Sequence, residues 1–235
     1  METRSLIADN LASVKQRMAS AARKAGRDPQ DVRLVAVTKT VSVEKIAEAA
    51  RVGGCVFGEN KVQEASEKIE KLGTESCHWH FIGRLQRNKV KYIPGLFELI
   101  HSVDNSELAE DIHHYSLKHD RVTPVLIQVN VSGETSKSGV HPNDLEELLA
   151  MVRYLNGISV RGLMTIPPFD PDPEKSRPHF AALRKLRDRM KAVNIENIAM
   201  DELSMGMSND FEVAIEEGAT WVRVGTAIFG EREAH

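Results

Sequence analysis

Arg33-Leu-Val-Ala-Val-Thr38 is a short β-branched run that stops at a lysine, Lys39. Seven more runs of this kind follow: Cys55-Val-Phe57, His78-Trp-His-Phe-Ile82, Leu99-Ile-His-Ser-Val103, Val125-Leu-Ile-Gln-Val129, Ile158-Ser-Val-Arg-Gly-Leu163, Glu202-Leu-Ser204 and Thr220-Trp-Val-Arg-Val224. Most are too short and too apolar for half-exposed antiparallel strands. They read as parallel strands buried on both faces. Helical patterns lie between them. Ser42 is placed to cap a helix from Val43, and Asn60 to cap the next, with Gln63 at capping-box spacing. Asp144-Leu-Glu-Glu-Leu-Leu149 and the series Phe180, Leu183, Leu186, Met190, Val193 mark later amphipathic helices. Strand and helix alternating eight times predict an α/β fold, a single (β/α)8 TIM-type barrel with residues 1–235 as one domain.

Outward from the strands, Leu6, Ile7, Leu11, Val14 and Met18 recur at helical spacing with charges between them, an extra N-terminal helix and not a signal peptide. After the eighth strand about ten residues remain, Thr226 to His235, too few for a full final helix. The N-terminal helix is expected to fill that gap in the outer ring. Two segments read as long loops at strand C-termini, the functional face of a barrel. One is Gly133-Glu-Thr-Ser-Lys-Ser-Gly139. The other, Ile166-Pro-Pro-Phe-Asp-Pro-Asp-Pro173, carries too many prolines for regular helix or central strand.

Composition narrows the function classes. The 235 residues are 41% hydrophobic and 28% charged with net charge -3, which fits a globular protein and lacks the basic excess of a nucleic-acid binder. No apolar run is long enough to span a bilayer. Cys55 and Cys77 make no disulfide framework, so the expected location is a reducing cytoplasm.

A barrel gathers its strand C-termini at one mouth. There the sequence places Lys39, Asn60, His80 with Gly83, Ser102 with Asp104, Asn130, Met164 with Thr165, Ser204 with Gly206 and Ser208, and Arg223 with Gly225 and Thr226. Lys39 follows an apolar run, where loss of solvent favours the neutral nucleophilic amine. Taken alone, a packed stem with a hydrated head is the commoner outcome. Ser204-Met-Gly-Met-Ser208 and Val224-Gly-Thr-Ala227 shift the balance. They are small, hydroxyl-bearing turns after strands seven and eight, where barrels often hold phosphate. Arg223 alternates with Val222 and Val224 and so points either into the barrel, where it needs an acceptor, or outward to a helix carboxylate. The pattern leaves both open. Cys77-His-Trp-His80 puts two histidines on one strand face without further local ligands, so core or pocket histidines are expected and no metal site. His113 and His114 are expected to be solvated, and Arg84, Arg87, Lys89 and Lys91 form a basic run suited to a solvated helix face, although it follows a strand end, where it could meet an anion.

These residues together resemble a known family. Ala36-Val-Thr-Lys39, Phe57-Gly-Glu-Asn60, His80-Phe-Ile-Gly83 with Leu85-Gln86 and Asn88-Lys89, Ser136-Lys-Ser-Gly139, Gly162-Leu-Met164, Leu203-Ser-Met-Gly-Met-Ser208 and Arg223-Val-Gly-Thr-Ala-Ile-Phe-Gly230 look like the pyridoxal 5'-phosphate (PLP) homeostasis proteins. The likeness runs the length of the chain, in order. It implies a barrel similar to the N-terminal domain of alanine racemase. By that likeness Lys39 carries PLP as a Schiff base, Arg223 faces the pyridine nitrogen, and Ser204, Gly225 and Thr226 hold the phosphate, joined by Ser208. Asn60 and Met164 line the ring.

The implied role is to bind, buffer and deliver PLP within the cell, with apo-PLP-enzymes as recipients, a monomeric state and no established turnover. An arginine at the ring nitrogen keeps it unprotonated, which weakens PLP as an electron sink. A racemase also needs acid and base groups on both faces of its substrate, and one barrel is expected to leave no room for the second domain that supplies one in alanine racemase. Two other readings remain: a PLP enzyme with weak amino-acid racemase activity, and a cofactor-free Schiff-base aldolase.

Overall fold

Parallel strands close on themselves. In this computed structural model, which describes residues 5–54, 56–75, 77–134 and 137–231, the strands are β1 (Arg33–Val37), β2 (Val56–Glu59), β3 (His78–Phe81), β4 (Leu99–Val103), β5 (Thr123–Gln128), β6 (Ile158–Met164), β7 (Ile198–Ser204) and β8 (Trp221–Val224). They pair in chain order, and β8 returns to β1 to complete the barrel. The helices are α1 (Leu6–Lys24), α2 (Val43–Arg51), α3 (Val62–Leu72), α4 (Ser106–Lys118), α5 (Leu145–Val152), α6 (Arg177–Val193), α7 (Phe211–Glu216) and α8 (Thr226–Phe229).

The period-2 pattern of the strands sorts side chains between two cores. Val35, Leu99, Leu126, Met164 and Trp221 pack inside the barrel. Ala36, Phe57, Ile100, Val125, Leu163 and Val222 face outward into a larger cluster under the helices. The N-terminal end of the barrel is covered by Arg33, which stacks 3.9 Å over Trp221 and pairs with Glu202.

The N-terminal helix takes the expected place. It packs on α7, α8 and α2, the elements that flank β8 and β1. Asn10 Nδ2 donates to Ile228 O at 3.0 Å, Lys15 Nζ to Gly53 O at 2.8 Å, and Arg27 Nη1 to Ile215 O at 2.8 Å. Ile7, Leu11, Val14 and Met18 are buried, whereas Leu6, assigned to the same face by spacing, is exposed.

Several local expectations change. Ser42 caps α2 as predicted, its hydroxyl accepting from Lys45 N. Asn60 does not cap α3: the helix starts at Val62, with Lys61 at the capping position and no side-chain cap bond. The third crossover carries a 3₁₀ segment, Arg87–Tyr92, in place of an α-helix. Pro94 and Gly95 follow after Ile93 and end it there. Within it Val90 is buried and Arg87 pairs with Asp111. His113 is not simply solvated, because its Nδ1 accepts from Gly157 N at 2.9 Å; His114 is exposed. The seventh strand begins four residues earlier than its apolar run, at Ile198. Cys55, the start of the predicted second strand, and Thr135 and Ser136 of the predicted loop lie outside the described residues.

Leu11 is 2% exposed at the seam between α1 and the barrel. Leu11→Ala is expected to lower the unfolding free energy by about 3 kcal/mol through lost burial and a residual cavity. A urea titration of the two proteins measures it.

Candidate functional site at the barrel mouth

Beyond Val37 the chain leaves the barrel in a tight turn, with Val41 N donating to Thr38 O at 2.9 Å. Lys39 sits in that turn, half-buried. Its neighbour Thr40 has φ 64°, a left-handed conformation that a β-branched residue seldom adopts. Two cavities meet at Val37 and Lys39. One, of about 430 Å³, runs from Lys39 over Thr40 and Ser42 to Gly225 and Thr226. The other, of about 360 Å³, runs from Lys39 past Asn60, Ile82, Gly83 and Ile166 to Arg223.

The first cavity ends at a turn built from the exits of β7 and β8. Gly206 takes φ 93°, and a Cβ there would come within 2.5 Å of Ala214 and 2.9 Å of Phe211, so only glycine fits. Its carbonyl accepts from Arg223 N at 3.0 Å. Ser208 Oγ accepts from Gly225 N at 3.3 Å, which sets the Ser208 hydroxyl beside Gly225 and Thr226. Hydroxyls and a backbone N–H converging without a Cβ at 225 suit an anionic oxygen group.

The second cavity ends on a buried cation. Arg223 does point inward, and it is 3% exposed. Its Nη1 donates to Ser204 Oγ at 2.5 Å and its Nη2 to the Thr165 carbonyl at 2.9 Å. Burial pushes the guanidinium down to about 10, against an opposing pull from Asp210. On the same wall, Asn60 Oδ1 is buried with no partner among the described residues. Gly83 allows the close approach that puts it there, since a Cβ at 83 would lie 2.4 Å from Asn60 O.

Beneath Arg223 runs a hydrogen-bonded chain. Ser204 Oγ lies 2.8 Å from His101 Nδ1, and His101 Nε2 lies 3.0 Å from His80 Nδ1. Arginine only donates, so Ser204 accepts from it, and the hydroxyl's own proton is left to give to His101 Nδ1 in one of the two directions the pair allows. His101 then carries its hydrogen on Nε2 and gives it to His80. This wiring requires both rings neutral. Burial supplies that condition, lowering His80 to about 3 and His101 well below the ordinary histidine value.

The predicted residues thus divide. Lys39, Asn60, Arg223, Gly225 and Thr226 line the two cavities, and Ser208 adjoins them. Met164 is fully buried in the inner core, where Ile82 and Ile166, both lining the second cavity, pack against its cluster. Ser204 does not reach the phosphate-type turn. Its side chain is 0% exposed and held between His101 and Arg223. Asn130 shapes the loop after β5, donating to Glu134 O at 2.8 Å. Sequence reading missed Gln128, Lys137, Ser138 and Met207, which line the second cavity, and His101, although alternation along β4 puts it on the inward face with Leu99. Among the described residues no group of three His, Cys, Asp or Glu is placed to hold a metal, and no helix is long and apolar enough to cross a membrane.

Both histidines have folded-state pKa values below the unfolded value of 6.5, His80 at about 3. Below pH 6.5 the unfolded chain binds protons that the folded barrel refuses. Stability is therefore expected to fall as pH drops from about 6.5 toward about 3, by up to about 1.4 kcal/mol per pH unit for each ring. Urea midpoints across that range measure the slope, and His80→Gln should flatten it.

Comparison with known proteins adds to the geometry. Residues 10–233 match the model of the alanine racemase N-terminal domain. The chain is 49% identical over 225 residues to the pyridoxal phosphate homeostasis protein of Aquifex aeolicus, covering 96% of this chain and 98% of that one. It is 41% identical over 230 residues to the protein of that name from Escherichia coli K12, covering 97% of each. Among solved structures, PipY of Synechococcus elongatus with PLP bound superposes with a TM-score of 0.84 at 35% identity, over 95% of this chain and all 100% of that one. Alanine racemase of Clostridium difficile superposes with a TM-score of 0.71 at 16% identity, over 96% of this chain and 58% of that one, a likeness of fold alone.

Proposed function

We propose that the chain, which belongs to the pyridoxal phosphate homeostasis protein family, holds PLP as a Schiff base on Lys39 and serves intracellular PLP homeostasis by buffering and releasing it. The observation that carries this reading is the position of Lys39 at the junction of two cavities. A phosphate-type turn ends one, and a buried arginine ends the other. An aldehyde-bearing ring with a phosphate on one side and a basic nitrogen on another matches that arrangement. The PLP-bound relative PipY supports it.

The residues fit the group. Gly225, Thr226 and Ser208 would hold the phosphate. Asn60, whose Oδ1 has no partner among the described residues, would lie along the ring, with Met164 packed below. Arg223 would face the ring nitrogen, and Ser204 would seat Arg223 instead of touching the phosphate. When bound, PLP supplies an electron sink whose strength depends on protonation of its ring nitrogen. Arg223 is a donor whose two bonds to protein go to neutral oxygens. It offers that nitrogen a hydrogen bond and no carboxylate to stabilise an added proton. Lys39 therefore retains the cofactor more than it exploits it, and the expected setting is a cytoplasmic monomer that yields PLP to apo-enzymes.

Purified protein should be yellow, and Lys39→Ala should lose that absorbance. A colourless wild type unable to take up added PLP would overturn the reading. The phosphate assignment has its own test. Ser208→Ala should weaken PLP affinity by about tenfold, the value of one hydrogen bond to a charged group, while leaving affinity for unphosphorylated pyridoxal unchanged. Ser204→Ala should affect both ligands alike, because it acts through Arg223. Equilibrium titrations with the two ligands separate these outcomes.

A further inference from the structure

Behind the Lys39 turn lies a buried ion cluster that PLP binding does not use directly. We propose that Lys68 is a positioning residue for Lys39, acting with Glu59 and Glu64 to clamp the backbone on both sides of it. The proposal rests on the reading of Lys39 as the PLP lysine.

Lys68, on α3, is 6% exposed. Its ammonium donates to Thr38 O, to Glu59 Oε1 and to Glu64 Oε1, each at 2.7 Å. Three donors meet three acceptors, so its capacity is filled. Glu59, 0% exposed at the end of β2, also accepts from Thr38 Oγ1 at 2.6 Å. Glu64 Oε1 also accepts from Thr40 N at 2.6 Å. The carbonyl before Lys39 and the amide after it are thus tied to one cluster, from which α3 and β2 cannot move apart.

Two facts argue that this cluster fixes geometry and does not serve stability alone. A buried ion pair is seldom better for stability than apolar residues of the same size, because each charge must be desolvated. Thr40, meanwhile, holds a left-handed φ of 64°, which a threonine keeps only where its surroundings over-determine it. The clamp supplies that determination. Without it, Thr40 relaxes toward an ordinary conformation. The Cα of Lys39 then turns, and the residue is no longer held in its place at the junction of the two cavities. Lys68 touches neither cavity, so its action passes through the turn.

The test compares four proteins loaded with PLP: wild type, Lys68→Met, Glu64→Ala and the remote core variant Ile112→Val. Lys68→Met and Glu64→Ala should release PLP about tenfold faster or more, as expected for a displaced reacting group. They should also lose much of the visible circular dichroism of the bound cofactor, which reports a ring held in one orientation. Ile112→Val is destabilised but untouched at the mouth, and should match wild type in both. Glu64 is a quarter exposed at its side chain, so Glu64→Ala decides the matter if Lys68→Met does not fold. Release rates and dichroism equal to wild type in the folded variants would overturn the positioning role. A wild type that binds no PLP would instead remove the reading beneath it.

Discussion

Closure of β8 onto β1 is the constraint from which the rest follows. Register pairs Arg33 with Trp221, Val35 with Arg223 and Ala36 with Val224. Parallel pairing places strand ends with strand ends, so the exit of β1 must lie beside the exit of β8. Lys39 and Gly225 are far apart in sequence and become lining of one cavity for this reason alone. The same closure sets Arg223 inward opposite Val35. It obliges the barrel interior to accept a cation, and the interior answers with Ser204, the Thr165 carbonyl and two neutral histidines.

The mouth is therefore held from two directions. From below, the chain of His80, His101 and Ser204 supports Arg223 through consecutive hydrogen bonds. From the side, Lys68 and its carboxylates hold the turn that carries Lys39. Neither set opens to the cavities, yet each fixes one of the two groups that define them. The upper wall is different. Residues such as Lys137 and Ser138 come from a connecting segment organised by Asn130 and Gln128, through bonds to the backbone at Glu134 and Ser138.

Strand identity was legible because buried parallel strands are short, apolar and β-branched, and seven of the eight runs coincide with observed strands within two residues. The exception, β7, begins Ile198-Ala-Met-Asp-Glu, where exposed Asp201 and half-buried Glu202 break the apolar signal. Capping was legible at Ser42, whose hydroxyl accepts from Lys45 N, but not at Asn60. There the spacing to Gln63 was correct, while Gly83 draws the Asn60 backbone toward β3 and its side chain to the cavity wall. Lys39, Gly225 and Thr226 could be placed because strand ends converge in any barrel. For Ser204, position along a strand does not say whether a hydroxyl faces the opening or the layer below it, where His101 and Arg223 hold it. Lys68 was invisible for a related reason: at i,i+4 from Glu64 it reads as an ordinary surface pair, and only tertiary structure reveals that a β-strand carboxylate and a turn carbonyl complete its shell.

The position of α1 bears on how the molecule comes into being. It precedes every strand in the chain, yet two of the surfaces that receive it, α7 and α8, follow seven and eight of them. Ile7, Leu11, Val14 and Met18 must wait with their apolar faces uncovered until the barrel between them and those helices has formed. Contacts this distant in sequence are slow to form and expose intermediates to aggregation. The helix that completes the ring is thus also the element whose docking reports that every strand of the barrel has found its place.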